Sequence, residues 1–192
     1  MNKVFLSPEI GKSKLMRDPC IIEGPGGTFH MVWTTGWWEK GDNNHRIYYV
    51  ATRDFESFSK AELLYEHGFN VIDSTIVRDG GRYLMFLKDE TRNPLQKNIR
   101  IATASAAEGP YSGPSQPITG QYWAEGPTGI KIGDTWLVYF DKYRERTYGL
   151  VISKDLKNWT DVSDKLEFPQ GSRHGTILQV SNQVLDRLID EK

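Results

Sequence analysis

The 192-residue sequence contains one cysteine, Cys20, so no internal disulfide can form and no zinc site can be built on thiolates alone. The redox compartment is therefore left open. No apolar run approaches the roughly 18 residues that a membrane-crossing helix needs. An excess of charge of one sign is missing too: 24 Lys and Arg stand against 25 Asp and Glu, a formal net charge of -1. Such a chain projects no strong field, so neither nucleic acid nor a membrane surface is an expected partner. The opening MNKVFLSPEIG carries Lys3 but no sustained apolar stretch or small-residue cleavage site, and reads as no secretory signal. Either the protein stays in the cytoplasm, or its true start lies upstream and it is exported.

What is present is a globular composition, rich in aromatic residues and glycine, and it repeats. Three segments line up: RDPCIIEGPGGTFHMVWTTG from Arg17, IDSTIVRDGGRYLMFLKDE from Ile72 and AEGPTGIKIGDTWLVYFDKY from Ala124. Each has an acidic residue, a short β-rich run, a turn built on glycine (Gly26-Gly27, Gly80-Gly81, Gly133-Asp134) and a second run of aromatic and β-branched residues. That pattern is a β-hairpin. A fourth copy starts at RHGTILQV, with His174 in the place of the acid, and is expected to begin a further inner strand. Taking Asp18, Asp73, Glu125 and His174 as equivalent gives a period of about 50 residues.

Between the hairpins lie HRIYYVATRDFESFSKAELL, NIRIATASAAEGPYSGPSQPI and TYGLVISKDLKNWTDVSDKL, each an alternating strand, a polar turn and a short closing strand. Four strands per repeat at this length predict an all-β fold, a β-propeller, in a single domain over residues 1–192. QVLDRLIDE near the C-terminus is the one helix-like piece.

In a propeller the first strand of each blade is innermost, so equivalent positions at its start converge on the axis. Asp18, Asp73, Glu125 and His174 are then expected around one pocket. Like charges gathered there raise one another's pKa values, and glycoside hydrolysis needs such a pair of carboxyl groups. Singly, each acid has a plainer reading as a turn residue, and a buried structural cluster or a cation site stays open for the group.

These residues resemble glycoside hydrolase family 43, the arabinofuranosidase and xylosidase group built on a five-bladed propeller. RDP at 17–19 is similar to the motif of the general base, IDS at 72–74 to that of the pKa-tuning Asp, and EGP at 125–127 to that of the general acid. The resemblance implies that Asp18 activates water, Glu125 protonates the leaving oxygen and Asp73 tunes Glu125. It implies an inverting hydrolase that removes terminal arabinofuranosyl or xylosyl sugars from plant-derived oligo- or polysaccharides. A carbohydrate-binding chain that has lost its catalytic geometry is the alternative. No cofactor is required. Arg173-His174 resembles the last-blade motif whose imidazole lies below the substrate, and in some relatives helps hold an axial calcium through water. Trp33 and Trp123, with Trp37 and Trp38, lie near the motif ends and are candidates for stacking on a sugar ring, Trp123 first among them.

Five blades at this period need roughly 250 residues. A second-blade Trp-Ala-Pro-type motif is missing, and the hairpin ending at Trp37-Trp38 runs through EKGDNNH straight into the outer strands of a repeat. The sequence thus predicts three blades and a remnant, as a fragment, a compact variant or a self-assembling half. Unclosed blade edges make self-association an expected consequence.

Overall fold

The computed structural model describes residues 6, 10, 15–36, 45–169 and 171–190. Among the described residues the chain is all-β apart from short 3-10 turns and a terminal helix, α1 (Asn182–Asp190). The first blade is an antiparallel sheet of β1 (Arg17–Glu23), β2 (Phe29–Gly36), β3 (His45–Thr52) and β4 (Glu62–Tyr65), in that spatial order. The second contains β5 (Val71–Asp79), β6 (Arg82–Asp89) and β7 (Asn98–Ala104). The third contains β8 (Ala124–Ile132), β9 (Thr135–Lys142), β10 (Thr147–Ser153) and β11 (Thr160–Asp161). The three expected hairpins are therefore β1–β2, β5–β6 and β8–β9. Residues 37–44 lie outside the description, yet β2 and β3 pair without a break from Phe29↔Thr52 to Gly36↔His45. The strands on either side thus make one ordinary blade.

Two expected strands are not formed. In the second blade, Ser112, Ser115 and Ile118 donate backbone N–H bonds to β7, but Pro110, Pro114 and Pro117 carry no N–H and the ladder cannot run on. RHGTILQV is irregular because side chains take its backbone donors. His174 N–H bonds Asp141, Gly175 N–H bonds the Tyr148 hydroxyl and Ile177 N–H bonds Thr128.

The blades pack face to face through alternating side chains. Met85 and Leu87 of β6 join Val32, Ile47 and Tyr49 of the first blade, while Leu84 and Phe86 join Trp136, Val138 and Phe140 of the third. Contact is close enough that a Cβ on Gly129 would lie 2.4 Å from the Phe86 ring, so only glycine fits. The two outward faces of this stack are covered by the chain itself. Leu6, Ile10 and Met16 pack on Trp33, Tyr48 and Val50, and Phe168 stacks on Tyr148 at 4.2 Å between ring centres.

Candidate active site

The inner strand of each blade breaks register at the same place. β1 pairs Arg17 with Thr34 and then Cys20 with Val32, β5 pairs Ile72 with Lys88 and then Thr75 with Phe86, and β8 pairs Glu125 with Asp141 and then Thr128 with Tyr139. Each break is a β-bulge, one residue longer than its partner strand. The bulged residue takes a left-handed backbone: φ is 51° at Asp18, 51° at Asp73 and 57° at Gly126. His174 repeats this conformation with φ 45°.

This register corrects the repeat. The equivalent of Asp18, Asp73 and His174 is Gly126, and Glu125 stands one residue earlier, level with Arg17, Ile72 and Arg173. Glycine enters the left-handed region without a Cβ penalty and Asp tolerates it, so in EGP the glycine takes the bulge and the acid is displaced. Two residues further on, a side chain ties each blade to the next element. Cys20 Sγ accepts from Ile76 N–H at 3.5 Å, Thr75 donates to the Pro127 carbonyl at 2.9 Å, and Thr128 accepts from Ile177 N–H at 3.3 Å.

The bulges bring the predicted acids together in two settings. Asp73 is buried, accepts the Gly126 N–H at 3.0 Å and is hydrogen-bonded to Asp18. Burial, followed by the charge of Asp18 and the bond to it, pushes Asp73 up to about 7. Asp73 therefore keeps its proton up to near-neutral pH, hydrogen-bonded to Asp18. Glu125 meets cations instead. Lys88 Nζ donates to it at 3.0 Å and Arg173 Nη2 at 2.6 Å, with His174 Nε2 at 3.2 Å. Burial alone would raise Glu125, but the His174 bond and the charge of Lys88 outweigh it and bring the carboxyl down to about 2. The bond to Glu125 raises His174 in turn, against its partial burial. At rest, then, Glu125 is a carboxylate and the imidazole beside it favours its charged form.

Lys88 and Asp141, near the far ends of their hairpins, read in the sequence as pocket contacts or, with more weight, as ordinary ion-pair partners, and both belong to the site. Both lie directly across from the residue that precedes a bulge, on β6 and β9. Lys88 is 2% exposed, pairs with Glu90 at 2.8 Å as well as with Glu125, and lies over the Tyr143 ring. Asp141 accepts the His174 N–H at 3.1 Å, and its Oδ1 has no hydrogen-bond partner among the described residues. A charged residue at the same place in two otherwise apolar strands was the available signal.

The aromatic expectations need correction. Trp33 is 1% exposed and belongs to the packing on the outward face of the first blade, so it cannot stack on a sugar. It is equivalent by register to Leu87 and Phe140, which are also core. Trp123 is half-buried, and the Arg144 guanidinium already covers its ring at 3.6 Å with Tyr143 against its edge. Trp37 and Trp38 lie outside the described residues.

A space of about 200 Å³ opens at the bulges, lined by Asp18, Asp73, Gly126 and His174, and one of about 340 Å³ opens on the Glu125 side. Donor atoms come within 4.8 Å of one another in two groups that share His174, one with Asp18 and Asp73 and one with Glu125 and Asp141. Neither group supplies more than two carboxylates, so calcium there would draw most of its roughly six to eight oxygens from water or backbone. Chemically, a carboxyl pair that can accept a proton faces a carboxylate–imidazolium pair that can deliver one, the division of labour that acid–base catalysis requires.

Residues 27–186 match the model of a glycosyl hydrolase 43-related family described as a probable glycosyl hydrolase domain. No curated protein sequence matches the chain. Among solved structures it is similar to the xylan β-1,4-xylosidase of Bacillus halodurans C-125, with a TM-score of 0.67 and 20% identity over 87% of this chain and 35% of that one. A family 43 protein of Bacillus licheniformis gives a TM-score of 0.67 and 20% identity over 92% of this chain and 37% of that one. A family 117 glycoside hydrolase of the marine bacterium Zobellia galactanivorans gives 0.60 and 15% over 76% and 54%. The chain thus spans about a third to a little over half of these structures. At such identities the likeness carries the fold: a β-propeller of the five-bladed glycosidase type, of which the described residues form three blades.

Proposed function

The chain belongs to the glycosyl hydrolase 43-related family, and from that membership we propose that its acid–base site hydrolyses glycosides with inversion of configuration. Asp18 takes a proton from the attacking water while that water's oxygen bonds to the anomeric carbon. The bond from the anomeric carbon to the leaving oxygen breaks, and the leaving oxygen receives its proton from Glu125 and His174 acting as a pair. At rest the pair's proton sits on the imidazole, 3.2 Å from Glu125 Oε1. Asp73 is hydrogen-bonded to Asp18 and, through the Gly126 N–H, fixes the strand that carries Glu125. The substrate we propose is a terminal arabinofuranosyl or xylosyl unit of a plant-derived saccharide, a reading supported by the fold shared with a xylosidase.

The observation that carries this reading is the repeated bulge, which aims two acids and an imidazole at the axis and leaves Glu125 beside them. Release of p-nitrophenol from aryl arabinofuranoside and xyloside by the wild type, Asp18→Asn and Glu125→Gln tests it. General acid–base groups contribute about 100- to 10,000-fold, so Asp18→Asn is expected to lose at least that lower figure. Glu125→Gln should lose less on this activated leaving group than on an unactivated saccharide. Undiminished activity in both variants refutes the roles. A second reading, sugar binding without turnover, is favoured by the ionised resting state of Glu125, and binding with no product from the wild type would support it.

A further inference from the structure

We propose that the space beside Glu125 receives an anionic group, a carboxylate or a sulfate, carried by the sugar on the leaving side of the scissile bond, and that Arg146 and Arg173 recognise it. The assignment to the leaving side rests on the hydrolase reading, because Glu125 there faces the leaving oxygen. The recognition chemistry does not.

The space of about 340 Å³ is lined by Asp141, Tyr143, Arg146, Thr147, Ser172 and Arg173, and reaches Glu125 through its bond with Arg173. That volume falls within the roughly 300–1,000 Å³ of small-ligand pockets. Arg146 lies in the turn between β9 and β10, where the neighbouring cations are already engaged. Lys142 pairs with Asp161 at 3.7 Å, and Arg144 lies on Trp123. Arg146 has no hydrogen bond, ion pair or ring contact among the described residues. An unspent guanidinium at the wall of a ligand-sized space is what a carboxylate or sulfate binds best.

Arg173 lines the same space. Its Nη2 is on Glu125 and its Nε is 3.6 Å from Asp141, but the side chain is 64% exposed and a guanidinium has five donors. Donors are therefore left for a ligand. Asp141 is the one acid that lines the space, and its charge is directed at His174 and Arg173. Two guanidiniums against a single acid that is already engaged describe a site for an acidic saccharide better than for a neutral one.

Isothermal titration with glucuronate, galacturonate and glucose 6-sulfate, with xylose as the neutral counterpart, tests this in the wild type and in Arg146→Gln. A charge-assisted hydrogen bond of ordinary strength predicts about 10-fold or more tighter binding of at least one acidic sugar than of xylose. Arg146→Gln should abolish that preference and leave xylose unchanged, and the stronger of the uronate and sulfate arms identifies the anion. Equal binding of acidic and neutral sugars, or an unaltered preference in the variant, would overturn the proposal. The readout needs no turnover. Acidic preference without hydrolysis would sink only the hydrolase reading, whereas hydrolysis without the preference would sink only this one.

Discussion

Asp73 and Glu125 are carboxyls of one axial cluster, yet their surroundings drive them to opposite protonation states. The unfolded value for Asp is about 3.9 and for Glu about 4.3. Asp73, raised to about 7 by burial and by Asp18, binds its proton more tightly in the folded state. Its contribution is complete below the unfolded value and is lost as pH rises from about 4 through 7. Glu125, held near 2 by His174 and Lys88 against its burial, works the other way. Its contribution is present above the unfolded value and is lost as pH falls towards 2. Comparing thermal midpoints of the wild type and Asp73→Asn between pH 4 and 7 isolates the first effect. The wild type should lose stability relative to the variant as pH rises, and parallel curves would show that folding does not raise Asp73. At this scale the acids were readable because they recur with a period. Lys88 was less so, since beside Asp89 it reads first as an ion-pair partner, and only the packing of the third blade on the second brings Glu125 of β8 to its ammonium group. Trp33 misled for the converse reason, because strand alternation does not say which face is already covered.

Among the elements, the hairpins were legible from their glycine turns, but the bulges were not. A bulge adds one residue without changing the strand pattern, and EGP lets the acid imitate the glycine that actually occupies the left-handed position. That glycine does more than relieve the backbone. A Cβ on Gly126 would lie 3.1 Å from the His174 ring, whereas one on Gly133, in the β8–β9 turn at φ 61°, would meet nothing within 4 Å. Both Ala variants are expected to lose about 1–2 kcal/mol of stability in urea unfolding, the usual strain of a side chain at positive φ. Only Gly126→Ala should also depress kcat, by roughly 10- to 100-fold, through displacement of His174 from Glu125. Equal kcat values in the two variants would detach the bulge from the chemistry. The missing fourth strand of the second blade has a local cause as well: prolines at 110, 114 and 117 withhold the donors that the alternating pattern led one to expect.

For the whole molecule, the period of about 50 residues correctly implied repeated antiparallel sheets, two of them with the expected four strands and one with three, and among the described residues they number three rather than five. What length alone could not convey is how an open stack shields its ends. Phe168 covers the face of the third blade by stacking on Tyr148 and tilting against Tyr139, as Leu6, Ile10 and Met16 cover the first. Removing this half-buried ring in Phe168→Ala should cost about 1–2 kcal/mol and expose aromatic surface. Sedimentation velocity is expected to show more concentration-dependent association than in the wild type, and unchanged sedimentation would mean that the ring covers nothing of consequence. The same architecture places three bulges around one axis, where the proposed acid–base site is assembled from three blades. Proton NMR of the anomeric signal during turnover of an aryl arabinofuranoside or xyloside, in the wild type and in Asp18→Asn, shows whether that site works. The proposed mechanism predicts that the first-formed sugar has inverted configuration and that Asp18→Asn forms at least 100-fold less of it, within the usual range for a lost general base. A sugar of retained configuration, or product formed equally fast without the Asp18 carboxylate, would contradict it.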